Sequence, residues 1–230
     1  MAGAREIRTK IKSVQNTRKV TRALEMVSTS KIRRAQEQMR TMRPYVRGML
    51  GLVGHIARAN SEYKHPFMQE RESRRIAYLV VSTDRGLCGG LNNNLFRRIL
   101  GDIREWQAKG VEVGVYAIGS KASQFFRRLN GVTFAGHAAR IGDRPTLAEL
   151  VGIVNLALDA YREGRIDRLY VATNVFVNTM TQQPTIRQLI PLVPGEDVES
   201  RHDWDYLYEP SAPEILDHVM RRYLEVLVYQ

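Results

Sequence analysis

Thr83-Asp-Arg-Gly-Leu-Cys-Gly-Gly-Leu-Asn92 is the stretch of this chain best suited to chemistry. It lies between a β-rich run and an amphipathic one, where glycine-rich turns present backbone amides to phosphate. Gly86, Gly89 and Gly90 nevertheless fit neither GxGxxG nor GxxxxGK[ST], and no Lys-Ser/Thr pair follows them. A structural loop needing positive φ is favoured over a nucleotide site. Asp84 and Arg85 are placed to pair as charges and fix that loop. No adjacent His or Ser supplies a nucleophile and base, and neither GxSxG nor a paired-carboxylate motif occurs elsewhere, so no catalytic residue is assigned. The single cysteine, Cys88, has no intrachain disulfide partner and fits a reducing compartment. The five histidines, His55, His65, His137, His202 and His218, form no i, i+4 pair and read as surface or packing residues. No metal and no cofactor is expected.

The second candidate is a binding surface. From Met1 to Ala59 the chain carries fourteen Lys and Arg against three acids, Glu6, Glu25 and Glu37, which accounts for the whole net charge of +11. So lopsided a segment is unlike an ordinary solvated helix, which mixes signs in i, i+4 pairs. Nucleic acid would exploit the charge, but Tyr45 is the one aromatic residue there, leaving no stacking platform. An acidic protein surface is the preferred partner.

The elements that hold these candidates follow from periodicity. Ile32, Ala35, Met39, Met42, Val46, Met49, Val53 and Ile56 recur at alternating steps of three and four, a heptad seam. Ile7, Ile11 and Val14, then Val20, Leu24 and Val27, keep that spacing with a phase slip. One long helix over 1–60 is predicted, on the order of 80 Å at 1.5 Å per residue. Pro44 should bend it. Gly48, Gly51 and Gly54 either permit close helix approach or mark a weak stretch. The residues from Glu62 to Arg75 read as a linker into a second domain, 61–210, in which strands at Arg75–Thr83, Val111–Ile118, Thr133–Ala135, Leu169–Val177 and Thr185–Pro191 alternate with helices. Those helices are expected at Leu91–Lys109, Ser120–Leu129 and, opened by a Thr146/Glu149 capping box, from Thr146 to about Arg162. The alternation predicts an α/β layered domain with a largely parallel sheet. Ser211-Ala-Pro-Glu214 starts a final helix, 211–230, whose seam is Leu216, Val219, Tyr223 and Val226. Two helices flanking one insert most simply pair as an antiparallel coil. The last covers only about 25 Å, so much of the first seam is left to other chains or to residues beyond Gln230.

No apolar run reaches the length of a membrane span. The amino end has no apolar core of a secretory signal. It shares the Arg-rich, acid-poor character of a mitochondrial transit peptide, but it leads into the heptads without a break, which favours a helix kept in the protein.

Three strings carry a resemblance. Ser13 to Gln36 (SVQNTRKVTRALEMVSTSKIRRAQ), Val81 to Asn92 (VSTDRGLCGGLN) and Trp204 to Pro210 (WDYLYEP) resemble, in order, motifs of the gamma subunit family of F-type ATP synthases, and the likeness spans nearly all of the chain. The resemblance implies a noncatalytic central rotor shaft: an antiparallel coiled coil of the first and last helices with a Rossmann-like domain inserted at its foot. Such a shaft couples proton-driven rotation of the c-ring to ATP synthesis or hydrolysis in a ring of alpha and beta subunits. It implies one copy per complex, peripheral to the cytoplasmic face of a bacterial inner membrane, with the epsilon subunit as a further partner and no nucleic acid. Carried over by position, Arg18, Lys19, Arg22, Met26, Lys31, Arg33 and Arg34 would meet acidic loops of the beta subunits. Tyr206, Leu207, Tyr208 and Glu209 would meet the c-ring and epsilon. Family members continue the last helix well past the position of Gln230. The alternatives from the residues alone are a Rossmann-type nucleotide-binding protein and a nucleic-acid-binding basic helix.

Overall fold

A computed structural model describes residues 2–59, 65–142, 145–192 and 211–229. Helix α1 spans Ala2–Ala59 and continues through Pro44 without interruption. Its Ala, Met, Gln, Lys and Arg content favours helix. Its threonines fold their hydroxyls back onto the preceding turn: Thr17, Thr21, Thr29 and Thr41 donate to the carbonyls of Ser13, Thr17, Glu25 and Glu37 at 2.8–3.1 Å. The chain forms two compact units, one reaching Arg47 and the other Gly48–Tyr229.

The second unit is a mixed α/β domain. Strands β1 (Arg75–Val81), β2 (Glu112–Ile118), β3 (Thr133–Ala138), β4 (Arg168–Phe176) and β5 (Gln182–Ile190) are interleaved with α2 (Leu91–Ala108), α3 (Ser120–Phe126) and α4 (Leu147–Arg162), and α5 (Ala212–Tyr229) follows. The sheet order is β3-β2-β1-β4-β5. The first four strands are parallel, with Ile76 opposite Val113 and Ala77 opposite Leu169, and β5 runs antiparallel to β4. From Ile76 to Val80 β1 is buried at every position, as a central strand covered on both faces must be. Ile76, Tyr78 and Val80 pack with Leu95 and Ile99 of α2 and with Phe126 of α3. The pleat turns Ala77 and Leu79 to the other face, on which α4 buries Val154, Leu158 and Tyr161. Each such side chain contributes about 1.5–3 kcal/mol by leaving water.

The element boundaries show local chemistry. α2 ends where Gly110 takes φ 76°, letting Val111 N–H reach the Trp106 carbonyl at 3.1 Å. α4 opens on the expected box, the Glu149 carboxylate accepting the Thr146 amide at 2.7 Å and hydroxyl at 2.8 Å. Three expectations shift. β3 runs on to Ala138, and Gly136 within it leaves room for α4: a Cβ there would lie 2.8 Å from Leu156 Cδ2. α3 stops at Phe126, and Arg128 and Leu129 close in tighter i, i+3 turns. β5 begins at Gln182 and accepts Pro184 because it is an edge strand.

α5 packs against α4. Its buried residues, Leu216, Met220, Tyr223, Leu224, Glu225 and Val226, form a broader stripe than a heptad seam, and Val219 lies at its margin. Arg221 reaches Asn155 Oδ1 at 3.2 Å and Asp159 Oδ1 at 3.3 Å.

Candidate interaction surface

The basic face of α1 is open. At 100° per residue, Arg18, Arg22, Met26 and Arg33 fall on one side of the helix, with Lys19 at its border. Val20, Leu24 and Val27 lie on the opposite side. Arg34 sits further round, and Lys31 falls with Val20 and Leu24. The structure thus gathers four of the seven expected contact residues onto one strip. Met26 is 70 % exposed and the apolar residues from Ile7 to Ile32 are each at least 41 % exposed. Because the Thr17, Thr21 and Thr29 hydroxyls are already bonded to their own helix, the strip meets a partner with guanidinium groups, methyls, a thioether and the single carboxylate of Glu25. Such a surface attracts carboxylates, each exposed pair contributing well under about 1 kcal/mol. Tyr206, Leu207, Tyr208 and Glu209 lie outside the described residues.

The glycine-rich loop follows β1, beside the point where the sheet order reverses and open α/β sheets bind ligands. Its groups are already engaged. Thr83 Oγ1 donates to the Arg85 carbonyl at 2.6 Å, and buried Asn92 donates to Thr83 Oγ1 at 2.8 Å and to Cys88 Sγ at 3.4 Å. Positive φ occurs at Gly89 (58°) and at Leu87 (62°), whose side chain is fully exposed. The Asp84 carboxylate organises the loop as a hub. One Asp84 oxygen accepts Ser120 N–H at 2.8 Å, Ser120 Oγ–H at 2.7 Å and Arg140 N–H at 3.0 Å, and the other accepts Gly142 N–H at 3.1 Å. Desolvation pushes this carboxyl up, but the Ser120 hydroxyl and the three amides outweigh it and hold its pKa down at about 2. The charge ties the β1 loop to the start of α3 and to the turn after β3. A cleft of about 570 Å³ beside the loop is lined by Gly86, Cys88, Asn92, Phe96, Lys121 and Arg128, among others.

Sequence reasoning missed the Asp84 hub, since its partners are 36 to 58 residues away. His65, expected as a surface or packing residue, is fully buried, and its contact with Asp217 of α5 is one that no sequence signal gave. Among the described residues no group of three metal-ligating side chains is gathered, and no helix is long and apolar enough to cross a membrane.

The family model described as ATP synthase matches residues 3–230. The ATP synthase gamma chain of Xanthomonas campestris is 58% identical over 231 residues, covering all of this chain and 80% of its own, and that of Xylella fastidiosa is 57% identical with the same coverage. A chain in the central stalk and c-ring structure of Tetrahymena thermophila mitochondrial ATP synthase superposes with a TM-score of 0.63 at 17% identity, over 91% of this chain and 89% of that one, a likeness of fold. The chain therefore belongs to the ATP synthase gamma chain family.

Proposed function

We propose that the chain works as the central shaft of an ATP synthase, coupling c-ring rotation to ATP synthesis or hydrolysis at alpha and beta subunits and performing no catalysis itself. The observation that carries this reading is α1, a 58-residue helix with an exposed basic strip and with its apolar residues from Ile7 to Ile32 left exposed. A helix of this kind calls for partners around it. Arg18, Arg22, Met26 and Arg33 would form the main beta-subunit contact, flanked by Lys19 and Arg34, with Lys31 meeting a different neighbour as the shaft turns. Because exposed ion pairs are individually weak, they form and break without trapping the rotor.

In this reading residues 1–60 and 211–230 make the antiparallel coil and 61–210 the inserted Rossmann-like domain. Tyr206, Leu207, Tyr208 and Glu209 face the c-ring and epsilon at the foot. The complex is membrane-associated, with this subunit peripheral on the cytoplasmic face of a bacterial inner membrane, one copy per complex. The test is deletion and restoration of the gene, with ATP-driven proton pumping measured in inverted membrane vesicles. Restored pumping, with the chain recovered alongside alpha and beta, is expected. A chain that purifies apart from them while pumping persists without it would overturn the reading.

A further inference from the structure

Between α1 and β1 the chain forms a strap, residues 65–71, that is bonded to three other segments. His65 caps the short 3-10 turn Pro66–Met68, its Nδ1 accepting the Phe67 N–H at 3.1 Å. Buried Phe67 stacks edge-on against His65 and Tyr161, at centroid distances of 5.0 and 6.1 Å, and its carbonyl accepts Leu192 N–H at 2.7 Å just beyond β5. The Tyr161 hydroxyl donates to the Gln69 carbonyl at 2.7 Å. Arg71 donates to the Tyr161 carbonyl at 2.9 Å and lies 4.7 Å over its ring. The strap is thereby fixed to α4 and to the exit from the sheet.

The third attachment is to α5. A backbone N–H only donates, so Nδ1 of His65 is an acceptor and the proton sits on Nε2, which donates to Asp217 Oδ1 at 3.2 Å. The imidazole is 0 % exposed, whereas the Asp217 side chain is 39 % exposed. One turn on, Arg221 makes the second polar anchor of α5, to Asn155 and Asp159 of α4. Leu216, Met220 and Leu224 add apolar contacts, and apolar packing is non-directional. It holds a helix down but resists sliding and twisting weakly. Two hydrogen-bonded anchors four residues apart fix both its height and its azimuth.

We propose that His65 and Asp217 are positioning residues for torque transmission, a latch that holds the base of α5 in register with the α/β domain. This rests on the central-shaft reading. The groups facing His65 are Asp217 and Arg221 from α5 and Arg162 from α4, with Asp159 of α4 bound to Arg221. Burial keeps the imidazole pKa below its ordinary value, opposing Asp217, so the latch stays neutral and closed at neutral pH. The chemistry accounts for the residue pair: Asn in place of Asp217 still accepts the Nε2–H, whereas Ala does not.

The test compares D217A, D217N and the unchanged protein in the assembled complex, reading ATP hydrolysis and proton pumping on the same vesicles. Expected are normal assembly and hydrolysis in all three, pumping per ATP hydrolysed lower by about fivefold in D217A, and recovery in D217N. Equal pumping per ATP in D217A and the unchanged protein overturns the latch. So does loss of assembly and hydrolysis together in D217A, which would make the contact merely structural. If the unchanged chain itself supports no coupled pumping, the central-shaft reading has failed first, an outcome distinct from either.

Discussion

Replacing Asp84 by Asn tests whether the carboxylate hub, rather than the glycines, organises the loop after β1. The substitution keeps the shape and an acceptor but removes the charge that faces three amides and the Ser120 hydroxyl. The folded pKa is near 2 against an ordinary 3.8. At 1.36 kcal/mol per pKa unit that difference corresponds to about 2 kcal/mol. Asp84 is partly exposed, and solvent screening reduces the figure to about 1 kcal/mol. Because the folded value is depressed, this stability is present in full above the unfolded value and is lost as pH falls through about 2. Urea unfolding followed by the fluorescence of Trp106, which lies against the core, should show D84N weaker by about 1 kcal/mol at pH 7. The gap should close between about pH 5 and pH 2. Parallel curves for the two proteins across that range would refute the hub.

Gly119 has φ 92°, and a Cβ there would stand 2.2 Å from the Ser82 carbonyl oxygen, so G119A should lose about 3 kcal/mol by urea titration. G152A, in α4 with nothing within 4 Å of the new methyl, should gain about 0.5–1 kcal/mol in the same assay. Reversing Arg18, Arg22 and Arg33 together should weaken association with an alpha-beta assembly by about 2 kcal/mol, roughly thirtyfold in Kd, with the loss shrinking at high salt. K31E should cost less, since its side chain leaves the strip, and equal losses would dissolve the one-face geometry.

The alternation of strands and helices was legible because its signals are local. The apolar run at Ile76–Val80, the Gly110 stop and the Thr146/Glu149 box each lie within a few residues of what they determine. β3 continues past Ala135 where Gly136 lies against α4, a contact that no local pattern shows. The stripe of α5 was assigned to a heptad seam, but Met220 and Leu224 join it because α4 covers a wider arc than a coiled-coil partner would. On the candidate surface, helical geometry alone separates Arg18, Arg22 and Arg33 from Lys31. The Asp84 and His65 contacts span 36 and 152 residues, and no pattern in one sequence pairs residues so far apart.

The lone antiparallel strand has a mechanical effect. Four parallel strands each carry the chain to the same end of the sheet, and β5 returns it to the end where it entered. Phe67 and Leu192, on either side of the whole sheet in sequence, meet through one 2.7 Å hydrogen bond. A load entering at one and leaving at the other would find there a route shorter than the path through the strands.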